Sequence, residues 1–450
     1  MLRTLILFMG AALMAAPINS LAEGSDYSHG VFIVNEDWYG HQNSTLNYLD
    51  PAAEDGEYWQ YRVIQKENPG MELGCTNQFG AIWKGRMYLI AKQSKDPGAE
   101  VIGGRITVAD ASTLKILYQS ENIDPEGGQC DGRGFVGVND EKGYISSSNG
   151  IWIFDLKNLE ITGKIDGTEN TTGSLYSSQC GNMVMSEGMV FAAHQSKGII
   201  VINPADDSVV KIIGMEGISS KAGVGSVVKD MNGDVWASVT KDTSGSGAML
   251  NMLLKIDPVS LESEIINLPE GVAAPSSSWY AWTPDSFCAS AQNPVLYWSG
   301  GRNSWFSSTD IYRYDISDGE IEKIIDLEED GEGWKLYGCS MRVDPRSDEI
   351  YMSLYREFNS PVYITRRYSA LGEKLEDYHM IENYWFPSLP VFPEETTGAA
   401  IPAIYDNPSC ESEAEYFTMS GIRITSPAEL TPGMYIKRTG GKSKKILITQ

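Results

Sequence analysis

The chain has 450 residues and carries 35 Lys+Arg against 60 Asp+Glu, a formal charge of −25. A field of that sign repels polyanions, which excludes nucleic acid and anionic lipid head groups as partners. Its four histidines, at 29, 41, 194 and 379, form no HxxxH or HExxH spacing and no readable Ser-His-Asp order, so no catalytic residue, metal ligand or cofactor is assigned.

Residues 1–22, MLRTLILFMGAALMAAPINSLA, join a lone Arg3, an apolar stretch and the small-residue site Ser20-Leu21-Ala22. That is the pattern of a secretory signal peptide cut after Ala22. No cysteine stands at the cut to take a lipid anchor, and no later apolar run reaches bilayer length. The expected product is exported, soluble and not membrane-spanning, located in the periplasm, on the cell surface or in the medium.

From Gly30 onward one plan recurs, beginning with GVFIVNEDWYGHQNSTLNYLD at 30–50: an apolar strand, a polar and aromatic loop, then an alternating strand ending on Asp50. The opening strand returns at Met87, Tyr144, Met189, Val235, Val295 and Ile350, each time followed by a second and then a third short strand. Repeats of roughly 45–60 residues with four strands each are blades of a β-propeller, and a ring overrides the multi-domain prior of length. An all-β, seven-bladed propeller over residues 28–395 is therefore expected. The aspartates closing the second strands of the plan (Asp50, Asp110, Asp155, Asp257, Asp315), and Asn203 in the same place, read as side chains that bond the following turn, not as a catalytic series.

Blade one lacks an innermost strand before Gly30, while YWFPSLPVFPEE at 384–395 has no partner of its own. A ring must close or leave an open edge, so 387–393 is predicted to supply the missing strand. Its prolines suit a strand whose inner edge faces the channel. A polar linker at 396–413 leads to residues 414–450, whose alternation in GIRITS, GMYIKR and KKILIT reads as a small antiparallel β domain.

Six cysteines in an exported chain leave three readings open. Cys75, Cys130, Cys180 and Cys339 each precede an innermost strand, so they converge on one rim of the channel as disulfides between neighbouring blades, as buried free thiols, or as a metal site. Pairing with Cys288 and Cys410 is not fixed by the sequence.

In a propeller, the loop between the second and third strands and the loop into the next blade lie on one face. Seven of the 11 tryptophans fall in these loops. Any single one is ordinarily a wedge between sheets. Crowded together with Asn, Gln, Ser and Arg, they have the composition of a recognition surface. The expected off-centre, concave ligand site draws on Trp38, Tyr39 and His41 from blade one, His194 from blade four, and Trp279, Tyr280 and Trp282 from the loop before blade six. It adds Trp298, Arg302 and Trp305 from blade six and Tyr355 and Arg356 from blade seven, with Trp279, Trp282, Trp298, Trp305 and Trp38 as its walls.

Two resemblances follow from quoted residues. GVFIVNEDWYGHQNSTLNYLD, the QCDGRGF start of an inner strand and YWFPSLPVFPEE resemble the YncE-like, DUF5074-type propellers of Bacteroidota, a group that includes surface corrinoid-binding proteins serving an outer-membrane transporter. Tyr416, Gly421, Arg423, Gly433, Tyr435, Lys445 and Ile446 to Ile448 occupy the places of the C-terminal sorting-type domain of secreted proteins from that phylum. The resemblance implies a non-catalytic exported binding protein for a small organic ligand, with a corrinoid as the named candidate and an outer-membrane or surface protein as a partner. A surface or secreted protein-interaction scaffold is the alternative, and a metal-dependent lyase or lactonase stands third.

Overall fold

A computed structural model describes residues 27, 29–53, 56–215, 218, 223–240, 249–275, 285–300, 307–358 and 360–393, with the strand backbones at 415–418, 423–424, 433–439 and 442–448. Seven antiparallel sheets, one per blade, make the propeller, and every strand predicted to open a unit lies next to the innermost full strand of its sheet. Alternation places apolar residues on both faces of these second strands, as in VFIVN at 31–35, because each sheet is sandwiched between two others. Hydrophobic clusters accordingly sit between blades rather than within one centre. Phe32, Val34 and Tyr48 of blade one pack against Ile82, Met87 and Leu89 of blade two, and Val224, Val227 and Ala237 of blade five against Phe191 and Val201 of blade four.

Strand Pro387–Val391 pairs antiparallel with Val31–Asn35, Pro390 opposite Ile33 and Leu389 opposite Val34, so the end of the propeller completes its first blade. The aspartate turns form as expected. The Oδ1 atom of Asp155 accepts from the N–H groups of Lys157 and Asn158, and Asp110, Asp257 and Asn203 repeat the pattern. One departure from four strands per blade is a short bridge, Ser307–Ser308, which pairs with the inner strand Lys335–Val343 of blade seven and gives that sheet five strands.

The inner strands share a feature that the repeat pattern does not announce. In six of the seven blades the register slips just after the strand begins, leaving Gln78, Arg133, Asn182, Ser226, Ser340 and Ser388 in the bulged stretches. A bulge re-aims side chains that would otherwise stay in the ladder, and here it joins one blade to another. Asn182 exchanges two hydrogen bonds with Val227, 2.7 and 3.0 Å. Ser226 donates to Asp285 at 2.6 Å, Ser286 to the carbonyl of Gly338 at 2.6 Å, and Cys339 to the carbonyl of Ser388 at 2.7 Å.

The five described cysteines are free and buried. Of the three readings, the buried free thiol is the one the structure adopts, and the expected bridge between neighbouring blades is absent among the described residues. Cys410, the predicted signal peptide and the predicted linker lie outside those residues. Residues 396–450 form a second unit, described by its strands alone: Arg423–Ile424, Glu415–Thr418, Gly433–Thr439 and Lys442–Ile448, side by side and antiparallel.

Candidate ligand-binding site

The loop after strand Val31–Asn35 runs against the segment that enters the closing strand. Glu36 N–H donates to the Phe386 carbonyl at 3.0 Å, and Asp37 N–H to the Trp385 carbonyl at 3.2 Å. This pairing sets Trp38 beside Trp385, ring centroids 4.4 Å apart, with His41 also packed on Trp38 at 4.8 Å. Tyr384 packs on Tyr61 at 4.4 Å and Tyr61 stacks on Trp59 at 5.8 Å. Beneath them Tyr337, Tyr355, Tyr363 and Phe386 are buried together. Blades seven and one thus meet along an aromatic seam whose lower rings are packed and whose upper members, Trp38, Trp59, Tyr61, Tyr384 and Trp385, are only partly covered. Phe358, 5.2 Å from Phe386, extends it into solvent.

Beside the seam, the channel mouth is charged and buried. Gln78 donates to Glu36 at 2.5 Å, and burial raises the Glu36 carboxyl while Lys92 opposes that shift. Burial, followed by the neighbouring Arg133 guanidinium, brings the Lys92 amine down to about 8. Arg133 donates to Gln179 at 2.6 and 3.1 Å and lies 3.8 Å from Asp131, toward which the half-exposed Tyr176 hydroxyl points at 3.5 Å. Asp37 accepts from Gln42 at 2.6 Å and Thr45 at 2.8 Å, yet burial outweighs both bonds and raises its carboxyl to about 7. Flat apolar surface beside fixed donors and acceptors is what an organic ligand with a polar fringe requires.

A family described as "Domain of unknown function (DUF5074)" matches residues 29–393, the whole ring from its first strand to its last. The chain belongs to the DUF5074 family. No curated protein matches it. Among solved structures, one titled "Crystal Structure of Mitotic Checkpoint Complex" holds a chain 10% identical, with TM-score 0.48, covering 100% of this chain and 99% of that one. The computationally designed Ika8 protein is also 10% identical, with TM-score 0.43, covering 95% of this chain and 98% of its own.

Within this DUF5074 propeller the predicted site residues separate. Trp38, His41 and Tyr355 come together at the seam, with Tyr355 as one of its buried rings, while Tyr39 is exposed and stands near Tyr176. Arg356 stands over the Trp334 ring at 4.0 Å, with Glu332 at 3.9 Å. Trp298 is a correction: it is 0% exposed, stacks on Tyr312 at 5.7 Å and donates to the Ala273 carbonyl at 2.8 Å, so it wedges blade six and forms no wall. His194 is a second correction. Its Nδ1 accepts from the N–H groups of Ser196 and Lys197 at 3.1 and 3.0 Å, and burial lowers the ring to about 3, so a neutral imidazole holds a turn. Trp279, Tyr280, Trp282, Arg302 and Trp305 lie outside the described residues. Glu36, Lys92, Asp131 and Arg133 were missed. The signal for Arg133 was present in GRGF, an arginine between two glycines at the start of an inner strand.

Proposed function

We propose that this DUF5074 propeller is an exported, non-catalytic binding protein that takes a small organic ligand at the seam between blades seven and one. The observation that carries the proposal is the joining of Trp38, Trp385, Tyr384 and Tyr61 into one partly covered aromatic surface next to the Glu36 and Lys92 charges. Packing alone would bury such rings or spread them among the blade junctions. A corrinoid is the proposed ligand, because its large apolar ring bears a fringe of amides that the mouth can meet with Gln78, Gln179 and Arg133. Export rests on the leader-like residues 1–22 and on the likeness of residues 416–448 to a sorting-type tail, and a surface or outer-membrane protein would then receive the ligand. The exposed Tyr39 and Phe358 favour one second reading, a docking surface for that protein partner alone.

The test is tryptophan fluorescence of the full chain titrated with cyanocobalamin and with cobinamide. Saturable quenching that weakens at least tenfold in Trp38→Ala and Trp385→Ala supports the corrinoid reading. Absence of saturable quenching removes it, and capture of an envelope protein by the unliganded chain would then establish the docking surface.

A further inference from the structure

Inner strands begin on the face that carries the seam and end on the opposite one, where strand Cys75–Trp83 turns into Arg86–Gln93. There, between blades two and three, lies a cleft of about 440 Å³, within the range of small-molecule sites. Trp83, Tyr88 and Leu156 line its apolar part and are almost fully buried. The Trp83 indole lies flat on Gly137, where an added Cβ would come within 2.2 Å of the ring, and its Nε1–H has no acceptor.

The rim supplies charge. Lys84 sits 5.4 Å above the Trp83 ring and pairs with Asp140 across the cleft, while Arg86 reaches the Leu156 carbonyl. Lys157 is exposed at the edge, facing a rim whose other carboxylate is Glu141. The lining itself carries three cations against two carboxylates, with Lys84 paired to Asp140, on a chain of net charge −25. A neutral ligand would use only the apolar part, and a cation would be repelled by the rim.

We infer that the cleft between blades two and three binds a small organic anion with a flat apolar body. The body lies along Trp83 and Leu156, and the acid group faces Arg86 and Lys157. This site is independent of the seam, 1-anilinonaphthalene-8-sulfonate is a suitable flat anionic probe, and N-phenyl-1-naphthylamine is its uncharged counterpart. Titrating the full chain by probe fluorescence should show saturable binding of the sulfonate and binding of the neutral amine at least tenfold weaker. Lys157→Glu, an exposed change that spares the fold, should weaken the sulfonate about three- to fivefold, the scale of a solvated ion pair. Trp38→Ala should leave it unchanged. Equal affinity for both probes, indifference to Lys157→Glu, or loss in Trp38→Ala would each overturn the assignment.

Discussion

The indoles of Trp38 and Trp385 touch at a centroid distance of 4.4 Å, although one follows the first strand of the propeller and the other precedes its last. Backbone bonds from Glu36 and Asp37 to Phe386 and Trp385 hold the two segments in register, so the contact is built by closure of the ring and not by either loop alone. Trp38→Ala and Trp385→Ala should therefore be coupled. A double-mutant cycle by urea denaturation is expected to give an interaction of about 0.5–1.5 kcal/mol, the usual worth of an aromatic pair beyond its area. Additive losses would show that the two rings stabilise the fold separately.

Removing residues 384–395 strips strand Val31–Asn35 of its inner partner and exposes its edge. It also deletes Ser388, whose hydroxyl lies 3.1 Å from the carbonyls of both Val34 and Asn77 and can donate to either. The truncated chain is expected to lose its cooperative thermal transition, read by circular dichroism. An unchanged melting curve would mean that blade one closes without this strand.

Asp37 and His194 should tilt the stability–pH curve in opposite directions. Asp37 has an ordinary carboxyl value of 3.8 when unfolded and about 7 when folded, so across that window the folded chain holds the extra proton. Its contribution is full below the unfolded value and is lost as pH rises towards 7, a change on the order of 4 kcal/mol. Asp37→Asn should abolish that fall. His194 runs the other way: from 6.5 unfolded to about 3 folded, it makes the unfolded chain the better proton binder. Stability is therefore lost as pH falls from 6.5 towards 3, and His194→Asn, which can still accept from the turn, should flatten the acid limb. Denaturation midpoints at pH 4, 5.5 and 7 separate the two effects.

Burial raises the thiols of Cys75, Cys180 and Cys339 to about 12 and that of Cys130 to about 11, far from the thiolate form at neutral pH. In the native protein a thiol reagent should find none of the five described cysteines, and in denaturant without reductant it should titrate all five. Recovery of these thiols only after reduction would establish disulfides between blades.

Much of the ring was legible because propeller blades repeat one hydrophobic period and one turn chemistry. Asp155 and Asp257 hold their hairpins through bonds that any Asx residue could make at that place, which is why the residue type alone predicts the turn. The missing partner of Val31–Asn35 could be deduced by counting strands. The site was legible only where it depends on chain order, as with Trp38 and the segment before the closing strand. Trp298, inside a second strand, and Trp38, beyond the end of one, both fall in aromatic stretches of the sequence, yet one packs against the preceding blade and the other joins the seam. Bulges decided the rest. A one-residue slip moved Arg133 and Gln78 out of the strand alternation, and no periodicity reports where a slip falls.

The bond between first and last strands also sets a timetable. While the chain is being made, Val31–Asn35 must wait for Pro387–Val391, with the backbone of its inner side open, through the synthesis of every intervening blade. Contacts that join such distant segments carry the largest loop-closure cost in the molecule and form late. The seam, which exists only after that pairing, therefore appears last of all, so an incomplete chain does not present it.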